Sequence, residues 1–256
     1  MRKEKMIAIV TGASSGMGSE MVKRMIAEKA EVEEIWVLGR RKDRLANLQA
    51  RYPGIRFRII PIDLTSREEK DSFRQLLDRE KPEVRVFVHA AGFGIMGRID
   101  EIPVAESEEM VETNIQSCVS LTGYILPYMT DGGQMIYFAS SAAFLPQPGF
   151  ALYAASKAFV LSYVRSLRAE CRHRGLRITA VCPGAVKTEF FNRAAAGHKL
   201  PAYKKMVMAD PSAVVQKAWK DNVKNREISV YGIPMKLFRI VAKIIPHTCF
   251  LRFMGH

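Results

Sequence analysis

Short β-rich runs alternate with longer stretches of helical spacing along most of this chain. Residues 5–10 form an apolar run that ends in Thr11-Gly12-Ala13-Ser14-Ser15-Gly16-Met17-Gly18. Residues 18–29 then place Met21, Val22, Met25 and Ile26 on one helical face. Further strands are expected at 34–38, 56–62, 84–89, 134–139, 176–181 and 227–231, and helices at 43–51, 66–80, 105–128, 152–173 and 211–224. Ser66 with Glu69 three residues on has the form of a capping box, Gly175 stands where a helix stops, and Asp210-Pro211 opens the last of these helices.

Strand–helix alternation implies parallel pairing through right-handed crossovers. The expected fold class is therefore α/β: a doubly wound parallel sheet of about seven strands in a single domain. No linker, repeat or low-complexity tract interrupts it. Two regions fall outside the rhythm: 187–209 and the tail after 231.

Composition changes this picture little. With 256 residues, 48% hydrophobic and 25% charged, the chain is neither disordered nor collagen-like nor a heptad rod. Its 39 Lys and Arg against 26 Asp and Glu leave a net charge of +13. That favours anionic partners such as phosphorylated cofactors or acidic lipid, although a solvated basic face explains it equally simply. No zinc-finger or aromatic RNP-like pattern points to nucleic acid. Cys118, Cys171, Cys182 and Cys249 form no Cys-x-x-Cys pair, so a reducing compartment is expected. The first apolar run is too short for a secretory segment and no stretch approaches a membrane span, which together lead us to expect a cytoplasmic protein.

The chemistry begins at the first glycine turn. Gly12, Gly16 and Gly18, after a strand and at the start of a helix, let the backbone approach a pyrophosphate while the helix N-terminus offers free N–H groups. At the end of the second strand, Leu38-Gly39-Arg40-Arg41 carries no carboxylate to accept a ribose 2′-OH. Guanidinium groups there suit a 2′-phosphate, so NADP(H) is the expected cofactor, with Arg40 as main clamp and Ser14 or Arg41 assisting. Tyr153 and Lys157 are four residues apart in Tyr153-Ala-Ala-Ser-Lys157 and share a helical face. An ammonium one turn away favours a phenolate, which makes the phenol a usable acid/base for a carbonyl or alcohol.

The glycine turn, Ala90-Ala91-Gly92, Asn114, Ser140-Ser141, Tyr153-x-x-x-Lys157 and Pro183-Gly184 occur in this order. Together they resemble the short-chain dehydrogenase/reductase family over about residues 5–232. The resemblance implies a Rossmann-type domain over 1–232, with 187–209 as its substrate loop and 233–256 as an apolar-basic tail. It implies that Tyr153 is the acid/base, Lys157 its ammonium partner and ribose contact, and Asn114 the support of a proton relay. Ser141, or its neighbour Ser140, would bind the substrate oxygen. Gly12, Ser14, Ser15, Gly16, Met17 and Gly18 match the phosphate turn. Asp63 and Leu64 match the adenine side, and Ala91 and Gly92 the backbone under the cofactor. Pro183, Gly184, Val186 and Thr188 resemble the segment near the nicotinamide. One departure is His89-Ala90-Ala91-Gly92, where the family often has Asn-Asn-Ala-Gly. His89 is read as a structural replacement for a lost brace.

The implied reaction interconverts a secondary alcohol and a ketone without a metal. A non-catalytic nicotinamide sensor on the same fold is the alternative. A Ser-His-Asp hydrolase lacks its G-x-S-x-G elbow. Phe190, Phe191, Leu200, Tyr203, Met206 and Met208, with Phe144, Leu145 and Phe150, suit either a pocket for a bulky apolar substrate such as a hydroxysteroid or bile acid, or plain core packing. In the tail, Lys236, Arg239 and Lys243 fall near one helical face. A lid, an oligomer contact and an interfacial helix on acidic lipid remain open. The resemblance also implies a homodimer or homotetramer.

Overall fold

A computed structural model describes residues 6–194 and 208–254. Lys5, Leu200, Tyr203 and Met206, named in the sequence analysis, lie outside these residues. The strands are β1 (Met6–Thr11), β2 (Glu34–Gly39), β3 (Arg56–Pro61), β4 (Glu83–His89), β5 (Met129–Phe138), β6 (Arg177–Val181) and β7 (Ile228–Ser229). The helices are α1 (Gly16–Ala27), α2 (Lys42–Ala50), α3 (Arg67–Glu80), α4 (Val104–Val111), α5 (Ser117–Ile125), α6 (Ala151–Glu170), α7 (Phe190–Ala194), α8 (Pro211–Val223), α9 (Ile233–Ile244) and α10 (His247–Met254).

Alternate residues of a strand point to opposite faces, and these strands are apolar on both. In β1, Ile7 and Ile9 enter one core while Ala8 and Val10 enter the other. Such a sheet must be covered on both sides. Met21, Val22 and Met25 of α1 join Val215 and Trp219 of α8 on one face. Phe73 and Leu77 of α3, Leu121 of α5, and Val160 and Val164 of α6 cover the other. The strands are parallel in the order β3-β2-β1-β4-β5-β6-β7, a Rossmann-type doubly wound sheet. The order reverses between β1 and β4, and loops diverging from their carboxyl ends leave a crevice there.

Three local features depart from the periodicity. The helix expected over 105–128 is interrupted by a π-helical turn, Glu112–Gln116, and closes in a 3₁₀ turn, Leu126–Tyr128. The extra residue in the π turn re-aims Asn114 inward. β5 starts at Met129, ahead of Gly132-Gly133, and its register against β4 shifts between Val84 and Val86. β7 is only two residues long. Ser66 does cap α3 by accepting from the Glu69 N–H, but Glu69 accepts from the Asp63 N–H and ties down the β3–α3 loop.

His89, at the end of β4, is 2% exposed, and its Nε2 lies 3.2 Å from Ser117 Oγ. Burial, with the Lys157 charge adding to it, lowers its pKa from 6.5 to about 3. Between those values the unfolded chain binds a proton that the folded chain does not, so stability falls as pH falls through this window. This group should make the protein about 2 kcal/mol less stable near about pH 5 than near about pH 7. Denaturant unfolding of the native chain and of His89→Asn at the two pH values checks this: the variant should lose that increment of pH dependence.

Candidate active site

The crevice at the carboxyl edge is a cavity of about 1520 Å³. Its floor is the glycine turn between β1 and α1. At Gly18 a Cβ would sit 2.4 Å from the Gly12 carbonyl oxygen, so the turn closes only with glycine there. Ser15, at the N-cap of α1, makes no side-chain cap bond, leaving N–H groups of the first turn for another acceptor. Gly12, Ser14, Ser15, Gly16 and Met17 line the cavity, whereas Gly18 lies beneath it.

At the far side of the turn the Arg41 guanidinium donates to Ser15 Oγ at 2.7 Å and to Ser14 Oγ at 3.3 Å. It also pairs with Glu189 at 3.3 Å, and Arg44 holds the same carboxylate at 2.6 Å. Arg40 reaches the other way, pairing with Glu109 at 3.1 Å. Asp63 accepts from the Thr65 N–H and hydroxyl, and these bonds, with Arg40 and Lys70 nearby, hold its carboxyl below the usual range despite partial burial. Arg40, Arg41, Asp63 and Leu64 all line the cavity, with no carboxylate at the end of β2. Ala91 and Gly92 line the adjoining wall, and Pro183, Gly184, Val186 and Thr188 the wall beyond β6.

Tyr153 and Lys157 lie on the first two turns of α6, both buried. The Ser140 side chain lies close enough to the Tyr153 hydroxyl to pull its pKa down. Ser141, the expected serine, and its neighbour Ser140 both border the cavity. Ser140 leaves β5 in extended backbone, and its Oγ accepts from the Ala142 N–H at 3.1 Å. Ser141 instead begins a 3₁₀ turn and donates its N–H to the Pro183 carbonyl at 2.8 Å, although it still borders the cavity. Burial pushes the Tyr153 phenol up to about 12, with the Ser140 hydrogen bond pulling the other way. Burial also lowers Lys157 to about 8. The Lys157 Nζ donates to the Phe138 carbonyl at 3.0 Å and stands 5.7 Å from the centre of the tyrosine ring.

Several supports carry no motif of their own. Asn114 Oδ1 accepts from the Phe93 N–H at 3.0 Å, while Nδ2 donates to the Phe93 carbonyl at 2.8 Å and to Ser156 Oγ at 3.0 Å. Ser156 in turn donates to the Tyr153 carbonyl. Gly92 passes so close that a Cβ would meet Asn114 Oδ1 at 2.9 Å and Lys157 Nζ at 3.0 Å. Thr11 Oγ1 accepts from the N–H groups of Ala90 and Ala91, both at 3.1 Å, and so braces β1 to the loop after β4. A hydroxyl at a strand end was the only sequence signal for it. The Phe150 and Phe190 rings stand 4.3 and 5.3 Å from that of Tyr153.

The family model described as short chain dehydrogenase matches residues 6–199. An uncharacterized oxidoreductase of Staphylococcus aureus is 29% identical over 184 residues, covering 71% of this chain and 78% of that protein. Sulfoacetaldehyde reductase 2 of Chromohalobacter salexigens is 33% identical over 195 residues, covering 72% and 74%. Among solved structures, a short-chain dehydrogenase from Sphingobium yanoikuyae in complex with NADPH superposes with a TM-score of 0.79 at 23% identity, covering 97% of this chain and 95% of that one.

Ser156→Ala leaves one N–H of the buried Asn114 amide without an acceptor. It should cost about 1–3 kcal/mol in urea unfolding, the usual penalty for a stranded buried donor.

Proposed function

The chain belongs to the short chain dehydrogenase family, and on that premise we propose that it is an NADP(H)-dependent oxidoreductase interconverting a secondary alcohol and a ketone. The observation that carries this reading is the placement of Tyr153, Lys157 and Ser140 around the same cavity as the glycine turn. The cavity fits the dinucleotide on three counts: a turn that admits no Cβ at Gly18, open N–H groups at α1, and Arg40 and Arg41 where a 2′-phosphate would lie. When bound, the nicotinamide supplies the hydride.

The chain's own residues supply the rest. A phenol near pKa 12 is neutral around neutrality, the form that donates a proton to a carbonyl oxygen. Ser140 holds that oxygen within reach and stabilises the charge that develops on it. Lys157, near 8, remains mostly protonated there and places a cation below the phenol. Asn114 fixes the backbone at Phe93 beside this pair. The substrate end of the cavity is walled by Phe93, Met96, Leu145, Phe150, Phe190 and Phe191. Such a wall suits a bulky apolar carbinol of hydroxysteroid or bile-acid size.

Absorbance of NADPH with a panel of ketones tests the reading. Tyr153→Phe should lower turnover by at least about 100-fold while still binding NADPH. Ser140→Ala should fall by about 100-fold and Ser141→Ala by no more than about threefold. Tight NADPH binding without turnover on any ketone would favour the sensor. Removing the phosphate clamp is a separate measurement: Arg40→Ala and Arg41→Ala should each raise KM for NADPH by about tenfold and leave KM for NADH nearly unchanged.

A further inference from the structure

We propose that the C-terminal helix pair α9–α10 is a docking surface for an anionic lipid bilayer. Helix α9 has two apolar faces. One closes the cavity: Pro234, Met235 and Phe238 line it, joined by Phe250 of α10. The other faces outward. Ile233, Leu237, Ile240 and Ile244 follow one another at spacings of four, three and four residues and are 72%, 57%, 54% and 73% exposed. Val241 and Ile245 widen the row, each 40% exposed. A globular protein rarely leaves so continuous an apolar row in water.

Charge selects the occupant. After Glu227 the sequence contains Lys236, Arg239, Lys243 and Arg252 and no Asp or Glu. Lys236, Arg239 and Lys243 fall on the flank of α9 beside the outward row, placed for their stems to lie along lipid and their heads to reach phosphate. A second copy of this chain packed across a two-fold axis would set the same cations against one another. An acidic lipid surface complements the apolar row and the basic flank together. Among the described residues no helix is long and apolar enough to cross a membrane, so the pair rests on the bilayer. Because the inner face of α9 walls the cavity, an apolar substrate held in lipid would lie one helix away from it. That last step rests on the proposed reaction; the docking does not.

Co-sedimentation of the full chain with phosphatidylcholine vesicles, with and without phosphatidylglycerol, tests the surface directly. The protein should pellet with the anionic vesicles at low salt and be released at high salt. Ile240→Glu combined with Ile244→Glu, and separately Lys236→Glu combined with Lys243→Glu, should each weaken partitioning by at least about tenfold. Both should keep the melting temperature and NADPH binding of the native chain. Failure of the native chain to pellet at low salt, or pelleting unchanged by both double substitutions, overturns the proposal. So does a soluble dimer that ignores vesicles and dissociates in the Ile240→Glu, Ile244→Glu variant, which assigns the row to a second copy. No substrate enters the assay, so absence of turnover on every ketone would count against the proposed reaction and leave this surface standing.

Discussion

The site is organised around a cation held out of water. Lys157 is 5% exposed, and burying an ammonium is expensive unless other groups replace its solvent. The Phe138 carbonyl at the end of β5 does part of this at 3.0 Å. For that bond to form, α6 must cross the carboxyl edge of the sheet with its second turn directly over β5. Tyr153, one turn earlier, is then fixed beside Ser140, which leaves the same strand. The lysine therefore sets the tyrosine's position through the backbone, with its Nζ 5.7 Å from the centre of the ring. Desolvation favours the neutral form of both groups, raising the phenol and lowering the ammonium, and around neutrality the tyrosine still holds its proton.

That geometry depends on a sheet covered from both sides. The strand–helix alternation was readable in the sequence, and with it the parallel, doubly wound sheet; the strand order and the point where it reverses came from the structure. So were the glycine turn and the Tyr153–Lys157 spacing, because each is set within one or two turns of chain. The serine was not. Which of Ser140 and Ser141 faces the tyrosine depends on where β5 stops and the 3₁₀ turn begins, a boundary of one residue that composition does not mark. The π turn at Asn114 was hidden for a related reason. An extra residue in a helix changes the direction of one side chain without breaking the apolar rhythm around it. Thr11 and Ser156 act through single hydroxyls whose partners lie 79 and 42 residues away. The tail's basic spacing was visible, but the division of α9 into an inner and an outer face required a neighbour to pack against.

The wall opposite Tyr153 is held differently from the floor. Glu189, bound by Arg41 and Arg44, immediately precedes Phe190, whose ring leans on Tyr153 and on Phe191. The pairs are about half exposed, and such contacts are worth roughly 0–1 kcal/mol each. The ring contacts are of similar size, roughly 0.5–1.5 kcal/mol. Neither dominates, in contrast to the glycine turn, where the backbone alone forbids any other arrangement. Arg41 meanwhile serves two neighbours, the serines of the glycine turn and the carboxylate that anchors the start of α7. One guanidinium thus connects the glycine turn with the first residues of the cavity's apolar wall. The floor is held by sterics that leave no alternative, and the wall by several weak contacts of comparable size.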